Sequence, residues 1–279
     1  MGHTMSDLQS SFGHYAPGFV ARKLIKAAQK MPANWFGRRA ALFLRKAVLL
    51  QGHDIMDMKV EGLLLRLYMN DNVSERKFLF LPQFFDRVER GLIRARLKNG
   101  DVFVDVGANA GIYTMTAAPC VGVDGRVLSI EPNPAVLERL AFNSGLNKFQ
   151  NRVITEQACV SDCGGQVDLV LDHTNLGGSS LVAMRSDQKI TVASHTLFGI
   201  LKKHNITRIG GMKIDIEGAE DKALIPFLRD APRTLYPAFL IVERSDQDWT
   251  QDLNAALQAA GYVKTATTRM NHVWELKSL

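Results

Sequence analysis

The chain has 279 residues, of which 46% are hydrophobic, and it carries a net charge of +6. This length suits one large domain with an appendage or two small domains, and the apolar fraction is ordinary for a globular protein. No segment approaches the roughly 18 to 20 consecutive apolar residues of a membrane span, and the polar start does not resemble a secretory signal, so we expect a cytoplasmic protein.

The positive charge is concentrated near the N-terminus. Residues 1–100 hold 17 Lys and Arg against 8 Asp and Glu. Eight of these cations alternate with apolar residues at helical spacing: Arg22, Lys23, Lys26, Lys30, Arg38, Arg39, Arg45 and Lys46. We therefore interpret residues 1–69 as a basic, amphipathic helical extension of a main domain at 70–279. Its apolar stripes either pack on the main domain or contact an anionic partner or a membrane surface.

The main domain alternates short apolar runs with helix-length segments. After a helix predicted at Phe80 to Lys98, the strands are predicted at Val102 to Val106, Arg126 to Ile130, Val153 to Val160, Gly211 to Ile216 and Ala238 to Val242. The helices between them are predicted at Gly111 to Cys120, Pro134 to Asn147, Leu197 to His204, Ala219 to Leu228 and Trp249 to Ala260. This alternation predicts a mostly parallel, doubly wound α/β sheet with helices on both faces.

Two segments depart from the alternation. Gly261 to Thr265 and His272 to Leu276 predict a hairpin that closes the sheet edge, which brings the sheet to seven strands. Residues 164–193 read as an insertion with strands at Gln166 to Leu171 and Lys189 to Ala193, separated by a glycine-rich loop at 175–180.

The turn after the first sheet strand predicts a nucleotide site. Gly107 and Gly111 allow a sharp turn and close approach to a ligand, and the next helix points its N-terminal N–H groups at that ligand. Glu131 ends the following strand 20 residues later, where its carboxylate can accept hydrogen bonds from two ribose hydroxyls.

Asp105 favours S-adenosylmethionine (SAM) over NAD as the ligand. A carboxylate here would lie beside the pyrophosphate of NAD and repel it in a partly desolvated cleft. SAM instead offers an ammonium group and a cationic sulfonium. Asn109 also replaces the middle glycine of the Gly-x-Gly-x-x-Gly pattern of NAD sites. The other interpretation of Asp105 is a helix cap at a tight turn without a ligand.

These segments resemble the FkbM family of SAM-dependent methyltransferases. The resemblance rests on five segments between about residues 70 and 245, namely Val102 to Thr114, Ser129 to Pro134, Asn175 to Leu181, Lys213 to Glu220 and Ile241 to Glu243. It implies the Rossmann-like class I methyltransferase fold and methyl transfer to an oxygen, commonly the hydroxyl of a sugar, glycan or natural product. Residues before 65 lie outside it.

The resemblance also implies roles for individual residues. It assigns the methionine end of SAM to Asp105, Gly107, Asn109 and Gly111, the ribose to Glu131, the adenine side to Ala158, Cys159 and Asp162, secondary contacts to Tyr113 and Asn133, and further cofactor contacts to Ala108 and Asp215. Cys159 is equally well explained as a small buried strand residue.

The chemistry predicts a carboxylate base at the end of the fourth strand. Methyl transfer mainly requires that the acceptor oxygen is held against the methyl carbon, and a nearby base can take the hydroxyl proton. We expect Asp215 to position the acceptor and Glu217 to act as the base, with Glu243 and His173 as further candidates. Lys213 is expected to pair with a neighbouring acid. Helix capping is the alternative for Glu217 and especially for Glu220.

Other functions remain open from the sequence. No His-rich or Asp-x-Asp pattern points to a bound metal, so we expect a metal-free reaction. A nucleic-acid methyltransferase would explain the basic extension, but the Asp/Asn-Pro-Pro-aromatic signature is missing and nucleic acid is the less favoured partner. A binding module without catalysis, at a membrane or protein surface, is the second alternative. The sequence is compatible with a homo-oligomer and does not name the acceptor.

Overall fold

A computed structural model describes residues 5–170 and 189–277. The helices are Met5–Gln9 (α1), Phe19–Gln29 (α2), Trp35–Leu49 (α3), Val73–Phe80 (α4), Arg87–Arg96 (α5), Ile112–Ala117 (α6), Pro134–Leu146 (α7), Leu197–Lys203 (α8), Glu220–Asp230 (α9) and Leu253–Ala259 (α10). The strands are Ile55–Val60 (β1), Leu63–Tyr68 (β2), Val102–Val106 (β3), Arg126–Ile130 (β4), Val153–Glu156 (β5), Cys159–Val160 (β6), Gly165–Val170 (β7), Lys189–His195 (β8), Gly211–Ile214 (β9), Phe239–Glu243 (β10), Tyr262–Thr267 (β11) and Asn271–Leu276 (β12).

The main sheet has seven strands in the order β11-β12-β10-β9-β3-β4-β5. The pairs from β10 to β5 are parallel, and the β11–β12 hairpin joins the edge of β10 with β12 antiparallel to it. The prediction of a mostly parallel, seven-stranded Rossmann-like sheet is therefore confirmed. The strand order reverses between β3 and β9, which is where open α/β sheets form their ligand crevice.

The central strands lie in a core that covers both faces of the sheet. Val104 and Leu128 are fully buried in one cluster with Leu224 of α9, whereas Phe103 and Val127 are buried in a second cluster on the other face. Because both faces are covered, β3 and β4 need near-continuous apolar runs, and this is why their predicted bounds match the structure.

Two predicted elements differ in their bounds from the structure. The helix predicted at Phe80 to Lys98 begins only at Arg87, as α5. The preceding helix α4 ends at Phe80, because Pro82 lacks an N–H for the helix ladder, and Asp86 turns the chain with a φ of +40°. The strand predicted at Val153 to Val160 is divided into β5 and β6. β6 leaves the main sheet and pairs with β8, which also pairs with β7. The glycine-rich loop at 175–180 lies outside the described residues.

The N-terminal extension is only partly helical, which corrects the prediction for residues 1–69. Residues 55–68 form the β1–β2 hairpin, with a turn at Glu61 and Gly62. Both turn residues have positive φ, +48° and +90°, as a two-residue type I′ hairpin turn requires. The alternation of Asp57 and Arg66 with apolar neighbours is the two-residue period of a strand rather than the helical period.

The extension packs tightly on the main domain. Ile25, Ala41 and Met56 share a buried cluster with Phe78 of α4 and Met115 of α6. Buried side chains also fix the outer edge of β2. The amide of Asn143 in α7 accepts from the backbone N–H of Arg66 at 2.8 Å and donates to its carbonyl at 3.1 Å. None of the helices in the described part of the chain is both long and apolar enough to cross a membrane.

Candidate active site

A cavity of about 720 Å³ opens at the carboxyl ends of β3, β4, β9 and β10. This volume falls within the range typical of small-molecule sites. Ten of the predicted site residues line it, namely Gly107, Ala108, Asn109, Tyr113, Glu131, Ala158, Cys159, Asp215, Glu217 and Glu243. Four others do not line it, namely Asp105, Gly111, Asn133 and Asp162, and His173 lies outside the described residues.

The first residue of the turn after β3 has a backbone conformation that only glycine adopts without strain. Gly107 has a φ of +72°, and a Cβ there would lie 1.8 Å from the carbonyl oxygen of Asp215. The ends of β3 and β9 therefore approach each other more closely than any side chain allows. Asn109 also has a positive φ, +51°, which asparagine tolerates. The turn consequently presents its backbone to the cavity.

Glu131 is fixed at the cavity wall by two backbone groups. Its Oε2 accepts from the N–H of Asn109 and its Oε1 accepts from the N–H of Asn133, both at 2.9 Å. The residue is only 7% exposed, and burial raises its pKa to about 7. Each carboxylate oxygen has further lone pairs with which to accept from a ligand.

These residues fit SAM. The fixed carboxylate of Glu131 is suited to the two ribose hydroxyls, and the small side chains of Ala158 and Cys159 border the adjoining wall. Burial raises the pKa of the Cys159 thiol to about 11, so at neutral pH it is a neutral wall residue.

Asp105 lies behind the turn rather than at the cavity. It is 1% exposed, and its Oδ2 accepts from the hydroxyl of Thr114 at 2.6 Å. The Thr114 hydroxyl also lies 2.7 Å from that of Ser129, so the carboxylate ties β3 to α6 and β4. Burial raises the pKa of Asp105 to about 6. In this arrangement its carboxylate supports the turn from within the core.

A group of carboxyls surrounds one buried lysine at the ends of β9 and β10. The Nζ of Lys213 lies 2.9 Å from Oδ2 of Asp215, which confirms the predicted ion pair. Burial and the charge of Asp215 raise the pKa of Glu243, which donates a hydrogen bond to Asp215. The pKa of Asp215 is lowered, because Lys213 and the Glu243 proton stabilise its charge and outweigh the effect of desolvation.

Glu217 differs from these carboxyls because it is exposed at the cavity wall. Partial desolvation at the cavity wall raises the pKa of the Glu217 carboxyl, and the charges of Asp215 and Glu220 raise it further. Its φ of +54° is unusual for a residue other than glycine, and such strain tends to occur at functional sites. No described residue donates a hydrogen bond to its carboxylate.

Glu220 is structural, although it binds the loop before α9 and does not cap that helix. It is fully buried and does not line the cavity. Its Oε1 accepts from the N–H of Ile216 at 2.9 Å, and its Oε2 accepts from the indole N–H of Trp249 at 2.8 Å. Glu220 therefore fixes the loop that presents Glu217.

Several cavity residues were not predicted from the sequence. Five cations line the mouth: Arg38, Arg45, Lys77, Arg87 and Arg269. None of the five forms a salt bridge with another residue in the ranges 5–170 and 189–277. Asp86 also lines the cavity and accepts from the hydroxyl of Tyr113 at 3.0 Å. The helical spacing of Arg38, Leu42 and Arg45 was visible in the sequence, but only the fold shows that this stripe of α3 borders a cavity.

The described residues contain no group of three or more His, Cys, Asp or Glu side chains arranged to hold a metal ion.

Comparison with known proteins gives the family. Residues 105–264, more than half of the chain, match the model of the methyltransferase FkbM domain. A curated relative is a probable cobalt-precorrin-6B C(15)-methyltransferase (decarboxylating) from Sulfurisphaera tokodaii. It is 31% identical over 102 residues, or 36% of this chain and 53% of the relative. The chain thus spans about half the length of the curated relative it matches.

Two solved structures are also similar. One is a methyltransferase FkbM from Methylobacillus flagellatus KT, with a TM-score of 0.42 and 17% identity over 74% of this chain and 55% of that one. The other is a SAM-dependent O-methyltransferase from Thermotoga maritima, with a TM-score of 0.43 and 10% identity over 85% of this chain and 82% of that one. With its FkbM domain match, its seven-stranded sheet and a cavity whose residues fit SAM, the chain belongs to the FkbM family of methyltransferases, which use SAM as their cofactor.

Proposed function

We propose that the chain transfers a methyl group from SAM to a hydroxyl oxygen of a sugar, glycan or natural product. The observation that carries this proposal is the position of Glu217, a carboxylate exposed at the cavity wall without a hydrogen-bond donor among the described residues. A hydroxyl is a weak nucleophile, and a base within reach of its proton assists attack on the methyl carbon. A raised pKa suits that role near neutral pH.

In the proposed reaction Glu217 takes the acceptor proton. SAM supplies a methyl group on a sulfonium, whose S–C bond breaks as the O–C bond forms, so that the sulfur keeps the bonding pair. Glu217 accepts the hydroxyl proton and later releases it to solvent. The neighbouring carboxyls are less suited to this step, because Asp215 is paired with Lys213 and Glu243 is already protonated at neutral pH. Asp215 and Glu243 are therefore assigned to positioning.

The test is transfer from SAM carrying a ¹³C-labelled methyl group to a panel of hydroxylated sugars and natural products. We expect one methyl group per product, on oxygen, as judged by mass and by the chemical shift of the label. Because the matched relative is named for a carbon position, label on carbon would contradict the oxygen assignment while retaining methyl transfer.

The Glu217→Gln variant tests the base. General base catalysis contributes about 10² to 10⁴ in rate, so we expect a loss of this size with unchanged SAM affinity. Glu138→Gln is the control, since this side chain lies on α7 and does not line the cavity. Full activity of Glu217→Gln would rule Glu217 out as the base.

A further inference from the structure

The two long helices of the extension leave large apolar side chains in solvent. Six of them are 60 to 78% exposed: Phe19, Val20, Trp35, Phe36, Phe43 and Leu50. A soluble protein rarely leaves so many large apolar groups together on one short segment, and such surfaces mark interaction sites. We call this exposed side of α2 and α3 the outer face.

The outer face is cationic and contains no acid. No Asp or Glu lies between Asp7 and Asp54, whereas eight Lys and Arg residues fall in that interval. The cations and rings also contact each other. The Nζ of Lys23 lies 4.3 Å from the ring centre of Phe19, and the guanidinium of Arg39 lies 4.5 Å from that of Trp35. Apolar groups and positive charge therefore occupy the same surface.

Helix α3 connects the outer face to the cavity. Its residues contact the core, the cavity or solvent: Gly37, Ala41 and Val48 are buried, Arg38, Leu42 and Arg45 line the cavity, and Phe36 and Phe43 are exposed, as is Leu50 directly after the helix. Two further exposed apolar residues, Val88 and Met270, lie at the cavity and each follows an arginine. The cavity mouth thus has the same apolar and cationic character as the outer face.

We propose that the outer face docks the protein on an anionic lipid bilayer. Basic residues contribute attraction to the charged headgroups, and rings and aliphatic chains enter the headgroup and acyl boundary. A second copy of the chain fits less well, because a two-fold interface would place the cations of one outer face against those of the other without an acid between them. A nucleic acid would engage the cations, but Val20 and Leu50 have no ring on which a base can stack.

Docking in this way would place the cavity mouth beside the membrane surface. If the docked protein also transfers methyl groups as proposed, the acceptor is a hydroxyl group in the headgroup of a lipid. The arginines at the mouth, Arg38 and Arg45, would then face the headgroup phosphates. This consequence depends on the proposed methyl transfer, whereas the docking itself does not.

The test is cosedimentation of the full-length protein with phosphatidylcholine vesicles that contain or lack phosphatidylglycerol. We expect binding to the anionic vesicles that weakens as salt is raised. The Phe36→Ser/Phe43→Ser variant should bind at least about tenfold more weakly, because two rings that would be buried in the bilayer are lost. Lys46→Gln should weaken binding about fivefold. Val123→Ser/Val263→Ser is the matched control, since both valines are exposed away from the outer face and the cavity, and it should bind like the parent protein.

Three outcomes would overturn the proposal. The first is no binding of folded protein to the anionic vesicles, and the second is binding that survives Phe36→Ser/Phe43→Ser. The third is a dimer in sedimentation equilibrium that this variant dissociates, without vesicle binding, which would assign the outer face to a second copy. Thermal unfolding of each variant establishes that it is folded. Vesicle binding without methyl transfer would retain the docking surface and reject the proposed function.

Discussion

The backbone N–H of Asn109 donates to the carboxylate of Glu131 across 2.9 Å, and this bond joins the turn after β3 to the end of β4. The other oxygen of Glu131 accepts from Asn133. One carboxylate thus connects the two segments that the family resemblance assigns to the methionine end and the ribose of SAM.

Replacing Glu131 with Gln should weaken both this connection and SAM binding. Glutamine has one acceptor oxygen, so its amide group must face one of the two buried N–H donors and leave it unpaired. Such a loss costs about 1–3 kcal/mol of unfolding free energy. We expect SAM affinity to fall about 10- to 100-fold, measured by calorimetric titration. Glu138→Gln should bind normally, and normal SAM affinity of Glu131→Gln would remove Glu131 from the ribose site.

SAM affinity should rise with pH between about 5.5 and 7.5. The folded pKa of Glu131 is about 7, so below neutral pH its carboxyl is protonated and can accept fewer hydrogen bonds from ribose hydroxyls. A single required deprotonation with this pKa gives an increase in affinity of about 25-fold over the interval.

In the absence of ligand, stability should change in the opposite direction. The folded pKa of Glu131 is raised above its model value of 4.5. The stability from its proton is therefore full below pH 4.5 and is lost as pH rises through about 7. Glu131→Gln should lack the dependence of SAM affinity on pH and should lose stability less steeply than the parent protein, with the remaining loss due to other buried carboxyls such as Asp105. A wild-type SAM affinity that stays flat over this interval would show that the ionisation of Glu131 is not linked to binding.

Gly107 and Gly100 form a matched pair for the close approach of β3 and β9. Both have positive φ, +72° and +89°, but a Cβ on Gly107 meets the carbonyl of Asp215, whereas one on Gly100 has no atom within 4 Å. We expect Gly100→Ala to cost about 1–2 kcal/mol of unfolding free energy from backbone strain alone. Gly107→Ala should cost at least about 3 kcal/mol and abolish SAM binding, because backbone cannot move aside cheaply. Equal losses in urea unfolding would contradict this account.

The sequence predicted the sheet well because burial on both faces leaves a strong local pattern. The apolar runs of β3 and β4 match their predicted bounds, and Glu131 lies at the cavity as its position at a strand end indicates. Asp105, near the end of β3, was predicted to contact the ligand for the same reason, but its carboxylate lies in the core and accepts from Thr114. Whether a carboxylate near a strand end reaches the ligand depends on the helix packed against it, which strand periodicity does not specify.

The extension was harder to predict because its features depend on tertiary contacts. The β1–β2 hairpin turns at Glu61-Gly62, a dipeptide less typical of type I′ turns than Asn-Gly or Asp-Gly. The stripe containing Arg38 and Arg45 has the spacing of any amphipathic helix, and only the fold places it beside the cavity. The sequence therefore indicated a helix but not which wall of the site it builds.

The pairing of Asp215 with Glu243 predicts how stability depends on alkaline pH. The folded pKa of Glu243 is raised, first by burial and then by the charge of Asp215. The stability that its proton contributes is full below pH 4.5, where the unfolded carboxyl is also protonated, and it is lost as pH rises through the raised pKa, when two carboxylates face each other. We expect the unfolding free energy to fall over this interval by up to about 1.4 kcal/mol per pH unit.

Glu243→Gln should remove this loss, because the glutamine amide donates to Asp215 as the protonated carboxyl does and has no proton to lose. At pH 7 the variant should therefore be more stable than the parent protein, which has lost part of this stability there, whereas Glu243→Ala, which leaves Asp215 without this donor, should be less stable than Glu243→Gln. Urea unfolding between pH 7 and 10 measures all three proteins. An alkaline loss as steep in Glu243→Gln as in the parent would assign it to another group and show that the Glu243 proton does not hold the pair together.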